Sequence, residues 1–167
     1  MEIERSFTIA AAPDHVWDIL GKRFHEVATW ASSIDTSSAL DNASRSSGVN
    51  DRMCKTAQGV FKEKVTLFDE ERRTLAYAVY EGLPGFVREG GNTWWITSLA
   101  PRHTEVRFRM KFELSPIANF FMGWMLKRQM GRVADEVATD LKIYAETGTV
   151  STTKSAALAK RAKKRAA

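Results

Sequence analysis

Val106, Phe108, Met110, Phe112 and Leu114 occupy alternate positions, with Glu105, Arg107, Arg109, Lys111 and Glu113 between them. A period of two puts the two sets on opposite faces of a strand, one buried and one wet. The same period opens the chain, where Ile3, Phe7 and Ile9 alternate with Glu2, Glu4, Ser6 and Thr8, and Arg5 interrupts the apolar set. At Ala12-Pro13 the period changes. Proline suits a first helical position because its missing N–H would be unpaired there, and Asp14 complements the positive helix end. Val16, Trp17 and Leu20 form an apolar stripe that Gly21 ends, and Val27, Trp30 and Ile34 in FHEVATWASSI predict a second short helix.

From Thr36 to Leu114 short strand signals alternate with turn residues. Weak strands at SSAL and around NDRMCKTA flank the loop DNASRSSG. FKEKVTLF and TLAYAVYE, joined through DEERR, predict a hairpin, and NTWWITSLA turns through PRH into the strand described first. Ser115-Pro116 then begins a helix that runs to about Thr147, with Gly148 as its stop. Met122, Leu126, Met130, Val133, Val137, Leu141 and Tyr144 recur at spacings of three and four, a stripe that must lie on a sheet. The expectation is an α+β domain over residues 1–147. A curved antiparallel sheet of about seven strands wraps a long C-terminal helix, with two short helices after the first strand. Where such a sheet and helix do not fill each other, a mostly apolar pocket remains.

Charge modifies this picture at one end only. The 167 residues carry a formal net charge of +5, yet six basic residues (Lys154, Lys160, Arg161, Lys163, Lys164 and Arg165) and no acid lie beyond Gly148, leaving 19 basic against 20 acidic residues in the body. Residues 148–167 have only Val150 and Leu158 as large apolar side chains and read as a basic, disordered tail. Such a tail suits weak contact with an anionic membrane or nonspecific contact with nucleic acid. Phe120, Phe121, Trp124 and Met125 lie off the sheet-facing stripe, so FFMGWML is apolar nearly all round, which suits a homodimer partner or a lipid surface. The single cysteine, Cys54, cannot form an internal disulfide and fits a reducing, cytoplasmic setting.

Candidate chemistry is sparse. His15, His25 and His103 have no partner at metal-ligand spacing, and no phosphate loop, dinucleotide fingerprint or nucleophile elbow is present, so neither metal nor cofactor is expected. If Phe61, Val65 and Leu67 point inward, Glu63 shares their face; if Leu75 and Val79 point inward, so do Tyr77 and Glu81. Glu63 and Tyr77 are the candidate acid/base groups, with an arginine-paired Glu63 and a core Tyr77 as the structural readings beside them. The expected apolar lining is Phe61, Val65, Tyr77, Phe108, Met110, Phe112, Met122, Leu126 and Met130, the residues that the two periodicities turn toward each other. Trp94 and Trp95 face opposite ways, and the period does not say which lines the pocket.

IAAAPDHVWDIL, the trio Phe24, Trp30 and Ile34, FKEKVTLFDEERRTLAYAVYEGLP, Thr93-Trp94 and the closing helix resemble the START-like, Bet v 1-like superfamily. Within it they are most similar to the polyketide cyclase/dehydrase and lipid-transport group. The resemblance covers about residues 1–147 and departs at LGKRF, where relatives often carry an acid in place of Lys22 or Arg23. It implies a helix-grip fold with a deep hydrophobic cavity. Three function classes follow: a binder of a hydrophobic small molecule (lipid, aromatic or polyketide-like), a cyclase or dehydratase in which Glu63 or Tyr77 moves protons, and an interaction protein whose pocket is incidental.

Overall fold

The computed structural model describes residues 1–41 and 48–166, so most of the loop DNASRSSG lies outside the described residues. Strand β1 (Glu2–Ile9) is followed by helix α1 (Pro13–Trp17), a wider turn over Asp18–Lys22 and a 3-10 helix at Phe24–Thr29. Six strands come next: β2 (Thr36–Ala39), β3 (Arg52–Thr56), β4 (Gly59–Asp69), β5 (Thr74–Glu81), β6 (Val87–Ala100) and β7 (His103–Leu114). Two helices close the chain, α2 (Pro116–Thr147) and α3 (Thr152–Ala166). All strand pairs are antiparallel, in the order β1-β7-β6-β5-β4-β3-β2.

Local chemistry explains the junctions. Pro13 and Pro116 each sit in the first helical turn, the Ser115 hydroxyl accepts from the Ala118 N–H, and Gly148 ends α2 in the left-handed region at φ 70°. Gly21 does not stop the first helical segment, which runs on to Lys22. Its role is space: a β-carbon there would lie 2.9 Å from the indole of the buried Trp17. The second short helix ends at Thr29, earlier than its apolar spacing suggested, though Val27 and Trp30 are buried.

The core lies between the inner face of the sheet and the helices. Ile9, Val106 and Phe108 are fully buried on the sheet, Val16 and Phe24 on the short helices, and Ala134 and Leu141 on α2. Arg5, the residue that broke the apolar alternation of β1, does so to meet α2: its Nε donates to Asp135 at 2.6 Å and its Nη2 to the Gly131 carbonyl at 3.4 Å. Farther along, Lys142 reaches the Thr8 carbonyl and the Ala10 N–H donates to Glu146. These contacts tie the second half of α2 to β1.

Two expectations change here. A register shift between Val65 and Leu67 puts both Thr66 and Leu67 outside and returns Phe68, opposite Leu75, to the interior against Trp17. A bulge inserts one residue and reverses the parity beyond it, so Leu67 is exposed. The basic segment read as disordered is helical over Thr152–Ala166 and docks on the chain after the 3-10 helix. Lys154 is fully buried and its Nζ donates to the carbonyls of Ala31 at 2.9 Å and Ile34 at 3.0 Å. Arg161 donates to Ser32 and Ile34 carbonyls and pairs with Asp35. Buried Asp140 of α2 accepts from the Ser32 N–H and hydroxyl and from the Ser151 hydroxyl. Polar satisfaction supplies here what apolar area could not.

Candidate functional site

The inner face can be read in cross-strand rows. One row runs Phe68, Leu75, Trp94 and Phe108; the next runs Val65, Tyr77, Asn92, Met110 and Ile3; a third runs Arg52, Glu63, Val79, Gly90 and Phe112. Trp94 therefore faces inward, stacked on Phe108 with centroids 4.4 Å apart. Trp95 faces outward, with the guanidinium groups of Arg107 and Arg109 over its ring at 4.6 and 5.2 Å.

Of the expected lining residues, Phe108 and Val65 are buried at the base of the interior. Phe61, Tyr77, Met110, Phe112, Met122, Leu126 and Met130 are half-buried. Exposure rises from the first row toward the third, and the hydrogen bonds described above between α2 and β1 come from the second half of the helix. Two large grooves, of about 710 and 600 Å³, lie toward the outer face of the sheet, around Trp95 and around Gly91.

The polar groups of the interior gather around one residue that the sequence reading did not single out. Arg52 of β3 stands opposite Glu63 of β4 and pairs with it. Its Nη1 donates to the Phe24 carbonyl at 2.7 Å, and its guanidinium lies 3.8 Å from the Phe24 ring centroid and 4.9 Å from that of Tyr77. The Cys54 thiol donates to the same Glu63 carboxylate at 3.5 Å. Glu63 and Tyr77 thus belong to one cluster, but an arginine stands between them. Glu81, expected on the same face, is instead exposed at the strand end and pairs with Lys62 at 2.8 Å. The signal for Arg52 was its parity with Cys54 in β3, both being buried.

Electrostatics follow from burial. Burial works most strongly against the charge of Arg52, but Glu63, together with Cys54 and Tyr77, outweighs it and holds the guanidinium above its ordinary pKa. Burial pushes the Tyr77 hydroxyl up to about 12, with Glu63 acting in the same direction. Burial also pushes the Cys54 thiol up to about 12 against the pull of Arg52, which disfavours the thiolate at neutral pH.

Asn92 is the second residue the sequence reading missed. Only 6% exposed, it lies between Tyr77 and Met110, and its amide nitrogen donates to the Tyr77 hydroxyl at 3.4 Å. Its Oδ1 has no partner among the described residues. Whichever way the amide is turned, one polar end is left over. Gly90, two positions before it on the same face, is closely approached: a β-carbon there would come within 3.3 Å of Leu83 and 3.5 Å of Phe112.

A seven-stranded sheet wrapped on a long C-terminal helix, with two short helical segments after the first strand, is the helix-grip architecture of the START-like superfamily. The chain belongs to the polyketide cyclase/dehydrase and lipid transport family, whose model matches residues 1–146. Solved structures share the fold at low identity. A START superfamily protein from Mycobacterium smegmatis superposes with TM-score 0.72 at 18% identity, covering 89% of this chain and 99% of that one. The Zhui aromatase/cyclase of a Streptomyces species gives 0.69 at 17%, over 90% and 99% of the two chains. A Thalictrum norcoclaurine synthase variant, solved with a transition-state analogue, gives 0.62 at 14%, over 84% and 93%. None of the curated proteins matches the chain in sequence.

Proposed function

We propose that the protein binds a hydrophobic small molecule, a lipid, an aromatic or a polyketide-like compound, between the inner face of the sheet and the first half of α2. The observation that carries this reading is the unpartnered amide end of Asn92 at the edge of a half-buried apolar wall. A buried polar atom without a partner costs about 1–3 kcal/mol, which a ligand hydroxyl, amine or carbonyl that bonds it recovers. Phe61, Met110, Phe112, Met122, Leu126 and Met130 supply the apolar side, and methionines suit a wall that adapts to more than one shape.

The test is native mass spectrometry of freshly purified protein, followed by titration with a solvatochromic dye. A co-purifying apolar molecule, and dye binding weakened by Asn92→Leu or Met110→Ser, support the reading. Protein that carries nothing and takes up no dye rejects it.

A cyclase reading draws on one observation, the convergence of Glu63 and Tyr77 on Arg52. It is the weaker of the two. The Glu63 carboxylate is engaged by a guanidinium, and a hydroxyl pushed to about 12 is a poor proton donor near neutral pH.

A further inference from the structure

One side of the first half of α2 is left uncovered by the described residues. Ile117, Phe120, Phe121 and Trp124 are 73%, 81%, 73% and 71% exposed, and Met125 follows at 47%. At 100° per residue these five fall on one side of the helix, while Ala118, Met122, Leu126 and Met130 turn elsewhere. Five large apolar side chains within nine residues form a patch of the kind that marks an interaction surface. The charge beside it has one sign: from Ser115 to Ala134 there is no acid, and Lys127, Arg128 and Arg132 are all exposed. Arg128 and Arg132 follow Trp124 by one and two helical turns, so a basic collar sits directly behind an aromatic wedge.

We propose that this half of α2 docks on an anionic lipid surface, with Phe120, Phe121 and Trp124 in the headgroup and acyl boundary and Lys127, Arg128 and Arg132 against the lipid phosphates. An interfacial helix has this arrangement of apolar and basic residues. A second copy fits less well, because a two-fold contact through the patch brings the same cations together with no acid in the segment to offset them. Double-stranded nucleic acid offers the charge but no apolar phase for the five side chains. The cations of α3 are not the partner of the wedge. Lys154 and Arg161 are engaged in docking α3, and Asp140, where α3 attaches, lies about 24 Å farther along α2 than Trp124 at a rise of about 1.5 Å per residue.

The experiment is co-sedimentation of the full chain with vesicles of phosphatidylcholine, alone or mixed with phosphatidylserine. Wild type is expected in the pellet with the mixed vesicles at low salt and less so as salt rises. The double variants Phe121→Ser/Trp124→Ser and Arg128→Glu/Arg132→Glu should each lower the partition coefficient by about tenfold or more, with thermal melting unchanged because all four side chains are exposed. Lys160→Glu/Lys163→Glu should bind as wild type. The proposal fails if wild type stays in the supernatant with mixed vesicles at low salt, or if the serine variant still pellets. It also fails if the Lys160/Lys163 variant alone loses binding, or if sedimentation equilibrium shows a dimer that the serine variant dissolves. No ligand enters this assay, so the docking surface and the binding reading can fail separately.

Discussion

Arg52 and Glu63 face each other across β3 and β4, paired inside the grip, with the guanidinium of Arg52 laid on the ring of Phe24. Only 6% and 13% of their side chains are exposed. Removing one charge of such a pair strands the other, so Glu63→Gln should destabilise the fold by about 3–5 kcal/mol in urea unfolding. The pair removed together, as Arg52→Met/Glu63→Leu, should recover most of that loss. If Glu63→Gln melts like wild type but abolishes a turnover, the carboxylate is an acid/base group after all.

Phe108 is fully buried at the base of the interior and stacks on Trp94. Phe108→Ala should cost about 3–5 kcal/mol through lost burial and a residual cavity. That cavity lies where the proposed ligand ends, so dye selectivity should shift toward bulkier probes. A variant that loses stability with an unaltered selectivity order would place the ligand elsewhere.

The Tyr77 hydroxyl carries a pH signature. Its folded pKa is raised from 10.0 to about 12, so the folded state resists ionisation. The resulting stability is complete below pH 10 and is lost as pH rises toward 12. The stability difference between wild type and Tyr77→Phe should therefore narrow above pH 10. Absorbance titration of tyrosinate should lose its latest component in the Phe variant.

Lys154 has the opposite sign. Burial, helped by Arg161, lowers its pKa from 10.5 to about 8, so the unfolded chain binds the proton more tightly. Protonated Lys154 thus opposes folding below pH 8, and that penalty is relieved as pH rises from about 8 to 10.5. Amide exchange in α3 should accelerate less across this window in wild type than base catalysis alone requires. In Lys154→Met it should not change beyond the base catalysis seen in an unstructured reference peptide.

The strand order and the long helix were legible because β7 keeps strict alternation and α2 keeps a spacing of three and four between clear start and stop residues. The site was legible only in part. Val65, Phe108 and Met110 were placed by parity alone, but parity fails across the bulge after Val65, so Leu67 and Phe68 exchange faces. Asn92 was hidden by the same open choice as Trp94: once Trp94 points inward, so does the residue two positions before it. Arg52 lay in a weak strand signal, where a charged residue reads as surface until its partner on the next strand is known. The helix α3 was missed because a segment poor in apolar side chains gives no periodic signal, and its docking rests on a lysine that no hydropathy pattern marks as buried.

The family match ends at residue 146, whereas the hydrogen bonds do not. Ser151 and Lys154 complete the shell of Asp140 and occupy the carbonyls of Ala31 and Ile34, groups that sit well inside the matched region. A recombinant fragment trimmed at Thr147, or a fusion joint placed there, would leave a buried carboxylate and two backbone oxygens short of donors. The span matched by the family and the span joined by these hydrogen bonds are therefore different lengths of chain. An affinity tag placed on the carboxyl side of this fold belongs beyond α3.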